Sequence, residues 1–182
     1  MNETRKNNVA ISPAKEIALM SIATALLLAG QTALSAIQGV EVVTVILLTF
    51  CVSFGVKRGI FVATTFSVLR CIIFGFVPNV VILYLVYYNL FAVVFGIAGK
   101  LLANTRLWVK ILVLAVVAAV MTACFTLLDD LITPWMYGYA AESAEIYFLM
   151  SLPVMGVQSA CAVISVSLLW YPLSKVFAVI RI

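Results

Sequence analysis

Residues 80–102 read VVILYLVYYNLFAVVFGIAGKLL, and the run holds no charge until Lys100 near its end. A helix rising about 1.5 Å per residue needs roughly 20 such residues to cross a hydrocarbon core of about 30 Å, so this run is long enough to span. Five further apolar stretches flank it, at 14–37, 40–56, 60–77, 107–128 and 146–173. Those at 40–56 and 60–77 are the shortest and are marginal by the same measure. Of the 182 residues, 65% are hydrophobic and 10% charged, and the mean hydropathy is +1.22. Soluble domains carry roughly half apolar and about a quarter charged residues. A membrane β-barrel would instead show segments of about ten residues alternating apolar with polar, and none is found. The sequence predicts an all-α membrane protein with six transmembrane helices in one domain, residues 1–182.

Composition also removes several kinds of chemistry. With no histidine, a bis-His haem site, a zinc hydrolase site of the HExxH kind and a His-dependent triad are excluded. Cys51, Cys71, Cys124 and Cys161 all lie inside apolar stretches and form no CxxC pair, which reads as small thiols at helix-packing positions. No disulfide, metal or cofactor is predicted. The one acidic pair, Asp129-Asp130, has no nucleophile with an attached base beside it, so the sequence gives no ground for an enzyme.

Lys and Arg in short loops are retained on the cytoplasmic side of a membrane. Arg5, Lys6 and Lys15 precede or open the first helix, and Lys57 and Arg58 link the second to the third. Lys100, Arg106 and Lys110 flank the link between the fourth and fifth, and Lys175 and Arg181 follow the sixth. Every one of the eleven basic residues except Arg70 therefore falls on one side. Glu41, Asp129, Asp130, Glu142 and Glu145 fall in or beside the opposite loops, leaving Glu3 and Glu16 with the basic set. Both termini are predicted to be cytoplasmic. The net charge of +4 records this bias and is no sign of nucleic-acid binding.

Ser12-Pro13 reads as a helix start, and the apolar run after it is long enough to span, so the N-terminus is read as a retained helix rather than a cleaved signal. The longest polar interruption, 129–145, is expected to be an extracellular loop. It contains Thr133-Pro134, Gly138 and the aromatic residues Trp135, Tyr137 and Tyr139, which could cover a site or rest at the lipid interface.

Polar side chains within hydrocarbon are costly and usually face a partner or a cavity, so they are the informative residues. Arg70 lies past the middle of the third stretch toward the outer face, where its planar donor fork could bind an anionic or carbonyl group. The structural reading pairs it with Glu41, Asp129 or Asp130. Tyr84, Tyr87 and Tyr88 share one helix face and suit a flat heterocycle, although tyrosines also anchor helices at the interface. Asn89 follows them. Gln31, Asn79 and Gln158 add amides at outer or middle depth, either as ligand contacts or as glue between helices. Asp129-Asp130 serves ligand recognition, proton coupling or a solvated loop. Trp135 joins the candidate substrate-binding set.

Small residues form the last pattern. Ser21, Ala25, Ala29 and Ala33 recur every four positions on the first helix, with Ala14 and Ala18 on a nearby face. Ala115, Ala119 and Ala123 repeat the spacing on the fifth. Such strips let helices approach closely, and most serve internal packing. The first differs in starting near the basic end, where an external partner could reach it.

Six helices in a chain of this length resemble the S components of energy-coupling factor (ECF) transporters. So do the short basic tail leading into Lys15-Glu16-Ile17-Ala18-Leu19-Met20-Ser21-Ile22-Ala23-Thr24-Ala25-Leu26 and the alanine-rich first helix. The family's AxxxA motif maps by type onto Ala25 and Ala29, with Ser21 extending it, or onto Ala14 and Ala18. The resemblance implies a subunit of the bacterial plasma membrane that captures a vitamin or other micronutrient at an outward-facing pocket. It would dock on a transmembrane coupling subunit driven by two cytoplasmic ATPase subunits. This chain has no GxxxxGK[ST] loop, so ATP hydrolysis would come from those partners. Tyrosines with one Arg favour a heteroaromatic substrate, leaving thiamin-like, pyridoxine-like, flavin-like and corrin-related compounds and an aromatic amino acid open. The competing expectations are an autonomous small secondary transporter and a non-catalytic membrane scaffold.

Overall fold

The computed structural model describes residues 13–35 and 42–180. Glu3, Arg5, Lys6, Ser12, Glu41 and Arg181 lie outside the described residues. Among those described there are six helices and no strand: α1 Pro13–Leu34, α2 Val43–Phe54, α3 Val56–Phe74, α4 Pro78–Leu101, α5 Leu107–Tyr137 and α6 Ala141–Ile180. Four of them, α1, α4, α5 and α6, are long and apolar enough to cross a membrane.

The two marginal stretches resolve differently. α2 has 12 residues, about 18 Å at the helical rise, which is short of a full crossing. All of its residues except Val52 and Ser53 are buried, so it is apolar all round because neighbours cover it all round. α3 has 19 residues but carries Lys57 and Arg58 in its first turn and Arg70 near its end. Lys57 and Arg58 were expected in a link; instead Gly55 alone separates α2 from α3. Its φ of 85° suits glycine, and its N–H closes α2 on the Cys51 carbonyl at 2.8 Å.

The extracellular loop expected at 129–145 is mostly helix, which corrects the sequence reading. α5 runs on through Asp129-Asp130 and Thr133-Pro134 to Tyr137, and α6 begins at Ala141. Pro134 sits in the last turn, where its ring and missing N–H remove the bond to the Asp130 carbonyl close to the helix end. The stop comes at Gly138, in the left-handed conformation at φ 63° and ψ 41°. Its N–H and that of Tyr139 both turn back to the Pro134 carbonyl, satisfying the helix end. α6 likewise exceeds the 146–173 stretch, with 40 residues and Pro153 and Pro172 inside it.

The packing places α2 against α1, α3, α4 and α6, and α4 against α2, α3 and α5, while α5 and α6 pair along their length. Lipid tails are as apolar as the side chains, so close packing rather than burial from water favours these contacts. Gly99 shows how close α4 comes to α2: a Cβ there would lie 2.6 Å from the Val52 carbonyl oxygen. Phe50, Phe66, Phe91 and Phe95 are fully buried in the core. From α6, Phe177 meets Phe50 and Phe54 edge-on at 6.0 and 5.8 Å.

The bundle has two chemically distinct ends. At one, Arg58 on α3 donates Nε to Glu16 Oε1 on α1 at 2.7 Å, and Lys57 and Lys100 lie around the same depression. The acids Asp129, Asp130, Glu142 and Glu145 lie at the other end, on α5 and α6.

α1 divides into two faces. Leu19, Met20, Ala23, Thr24 and Leu27 are buried, whereas Ala14, Ala18, Ser21, Ala25, Ala29 and Ala33 are exposed. On α5 the equivalent spacing turns inward, with Ala115 buried and Ala119 and Ala123 half-buried.

Candidate functional site

Toward the end of the bundle opposite the basic cluster, α4, α5 and α6 are tied by hydrogen bonds that converge on Asp129. Asn79, in the first turn of α4 after Pro78, accepts from Tyr137 at 3.3 Å through Oδ1 and donates Nδ2 to Thr133 Oγ1 at 2.9 Å. Because the Asn79 amide can only donate there, the single hydroxyl proton of Thr133 is left for Asp129 Oδ1, 2.7 Å away. From α6, Tyr147 donates to Asp129 Oδ2 at 2.8 Å. Asp129 is thus held as an acceptor on both oxygens. Beside it, Asp130 Oδ2 accepts from Ser151 Oγ at 2.6 Å, and Asp130 Oδ1 is buried with no hydrogen-bond partner among the described residues.

A cavity of about 320 Å³ opens between α5 and α6 at this place. Phe125, Thr126 and Asp129 line it from α5 and Tyr147, Met150, Ser151, Val154 and Gln158 from α6. The helical period explains both sets: 126 and 129 stand three apart, 125 and 129 four apart, and 147, 151, 154 and 158 follow one face of α6. Asp129 and Gln158 were expected in a site and meet here. Tyr147, Ser151 and Phe125 escaped the sequence reading, although the spacing from Tyr147 to Gln158 was the signal that would have found them.

Tyr84, Tyr87 and Tyr88 are all buried, so none stands at an interface as an anchor. Phe125 packs on all three, with ring centroids at 5.8, 4.8 and 6.4 Å. Phe125 also lines the α5–α6 cavity, whereas none of the three tyrosines does. Gln31 on α1 donates Nε2 to the Tyr84 hydroxyl at 2.9 Å, while its Oε1 is buried without a hydrogen-bond partner among the described residues.

Arg70 makes no ion pair among the described residues. Its guanidinium lies over Tyr84 at 4.4 Å and Phe74 at 5.2 Å from the ring centroids, and its Nε is buried without a hydrogen bond among the described residues. The suggested pairing with Asp129 or Asp130 is absent: hydroxyls hold both oxygens of Asp129 and Oδ2 of Asp130, and Arg70 reaches neither carboxylate. Glu41, the third suggested partner, lies outside the described residues.

Two candidates fall away from this region. Asn89 accepts from Thr64 on α3 at 2.9 Å and donates to the Leu85 carbonyl at 2.8 Å, which makes it a tie between α3 and α4. Trp135 is 80% exposed on the outer turn of α5 and lines no part of the α5–α6 cavity.

Comparison of the chain with protein-family models, curated proteins and solved structures finds no match.

Proposed function

We propose that the chain is the substrate-capture subunit of an ATP-driven uptake transporter of the ECF kind. It sits in the plasma membrane of a bacterium with both termini cytoplasmic and all six helices within the bilayer region, the short α2 enclosed by its neighbours. The cytoplasmic end is the one where Arg58, Lys57 and Lys100 gather, in accord with retention of basic residues inside. The outward end carries the polar chain from Asn79 to Tyr147 and the α5–α6 cavity.

The observation that carries this reading is the exposed strip on α1. Among the described residues Ala14, Ala18, Ser21, Ala25 and Ala29 are all exposed, in contrast to the inward strip of α5. A small-residue face left open in a membrane helix admits another helix at close range. We assign it to a transmembrane coupling subunit, itself worked by two cytoplasmic ATPases. Substrate then enters from outside, is held at the outward end, and is released when the complex turns over.

Tagged chain purified in mild detergent from its own cells tests the proposal. A coupling subunit and two ATPases should be recovered with it. Recovery of the chain alone, together with substrate movement by the chain alone in liposomes, would favour an autonomous carrier and overturn the proposal.

A further inference from the structure

We propose that the α5–α6 cavity takes an organic cation, an aromatic or alkyl body bearing a quaternary or protonated nitrogen whose charge meets Asp129. In naming a substrate class, this inference rests on the uptake reading. The charge of the site points one way. Among the described residues Asp129 is the one charged side chain lining the cavity, and the adjacent Asp130 adds a second carboxyl with an oxygen that nothing described satisfies. Arg70 is not among the residues that line the cavity, and its guanidinium covers the Tyr84 ring instead.

The hydrogen-bond direction agrees. Thr133 and Tyr147 each give one proton to Asp129, one per oxygen, and a carboxylate oxygen has lone-pair capacity for a further donor. An anionic ligand would meet acceptors already oriented against it, whereas an ammonium or a protonated ring nitrogen would meet them in register. The remaining walls suit the same ligand. Phe125 and Tyr147 supply ring surfaces and Met150 a polarisable thioether, all favourable to a positive charge on an apolar body. Gln158 and Ser151 supply the few convergent polar contacts that orient a ligand in a largely apolar pocket.

The full chain in lipid nanodiscs, titrated calorimetrically, provides the test. Benzyltrimethylammonium is the probe, chosen because its charge does not depend on pH, and benzylsulfonate is the anionic counterpart. Saturable binding of the cation and none of the anion is expected, with Asp129→Asn weakening the cation at least tenfold. A second measurement does not depend on that variant: in a chain freed of its native cysteines, maleimide labelling of Met150→Cys should slow severalfold when benzyltrimethylammonium is present. Binding of benzylsulfonate as strong as that of the cation, unchanged affinity in a folded Asp129→Asn chain, or labelling indifferent to the probe would each overturn the assignment. Recovery of the partner subunits without cation binding removes the ligand class and leaves the uptake proposal standing. Cation binding without partners does the reverse.

Discussion

The guanidinium of Arg70 rests 4.4 Å over the ring of Tyr84, so among the described residues this cation within α3 is matched by a π face on α4 and by no carboxylate. A cation on an aromatic face that is partly desolvated contributes about 1–2 kcal/mol. Arg70→Met should therefore lower the thermal stability of the ligand-free protein by an amount of that order. Arg70→Lys, which keeps the charge over the ring, should lower it less. Benzyltrimethylammonium affinity should move by less than threefold in either variant. A tenfold loss with unchanged melting temperature would instead make Arg70 a ligand contact.

Thr133 relays one hydroxyl between Asn79 and Asp129. Valine has nearly the same shape but leaves the Asn79 amide without its acceptor and Asp129 Oδ1 without its donor. Thr133→Val should destabilise by about 1–3 kcal/mol for each buried group left unsatisfied, with Thr133→Ser close to wild type. Thermal unfolding of the three proteins in one detergent is the check, and equal midpoints for Val and Thr would show that the chain from α4 to α6 contributes nothing.

Two glycines should respond in opposite directions. Alanine at Gly99 would bring its methyl to 2.6 Å from the Val52 carbonyl oxygen and 2.8 Å from the Val52 Cα, where α2 must move away. Overpacking of this kind costs about 1–3 kcal/mol. At Gly156 a Cβ meets nothing within 4 Å, so Gly156→Ala should be neutral or gain up to about 1 kcal/mol of helix preference. Melting temperatures of the pair would contradict this close approach if Gly99→Ala were as stable as Gly156→Ala.

Ala25 and Ala29 are exposed, so leucine at either position should leave the isolated chain as stable as wild type and its binding of benzyltrimethylammonium within twofold. Co-purification of the coupling subunit should fall at least tenfold, because the added side chain holds a partner helix away. Full recovery of the complex from both variants would show that the strip is not where the partner sits.

Orientation is open to direct labelling. In a cysteine-free chain, Ala140→Cys, in the exposed turn between α5 and α6, should react with an impermeant maleimide added outside intact cells. Asn104→Cys, in the turn between α4 and α5 at the basic end, should react only after the membrane is opened. The opposite pattern would invert the proposed topology.

What the sequence determined by itself is the set of long apolar helices. The runs at 80–102 and 107–128 correspond to α4 and to the greater part of α5, because a backbone in hydrocarbon must satisfy its own hydrogen bonds and a long apolar run can do so only as a helix. Polarity misled at 129–145, where Asp129 and Asp130 look like a solvated loop. Their hydroxyl donors stand at Thr133, Tyr147 and Ser151, and the last two reach them only because α6 packs along α5. The partner of Arg70 was hidden for the same reason, since Tyr84 faces it from a neighbouring helix. The alanine strips of α1 and α5 mark the boundary most sharply. Their spacing is the same, yet Ala25 and Ala29 are exposed while Ala115 is buried. Helical periodicity decides which residues share a face, and only the packing of the other helices decides which face is covered.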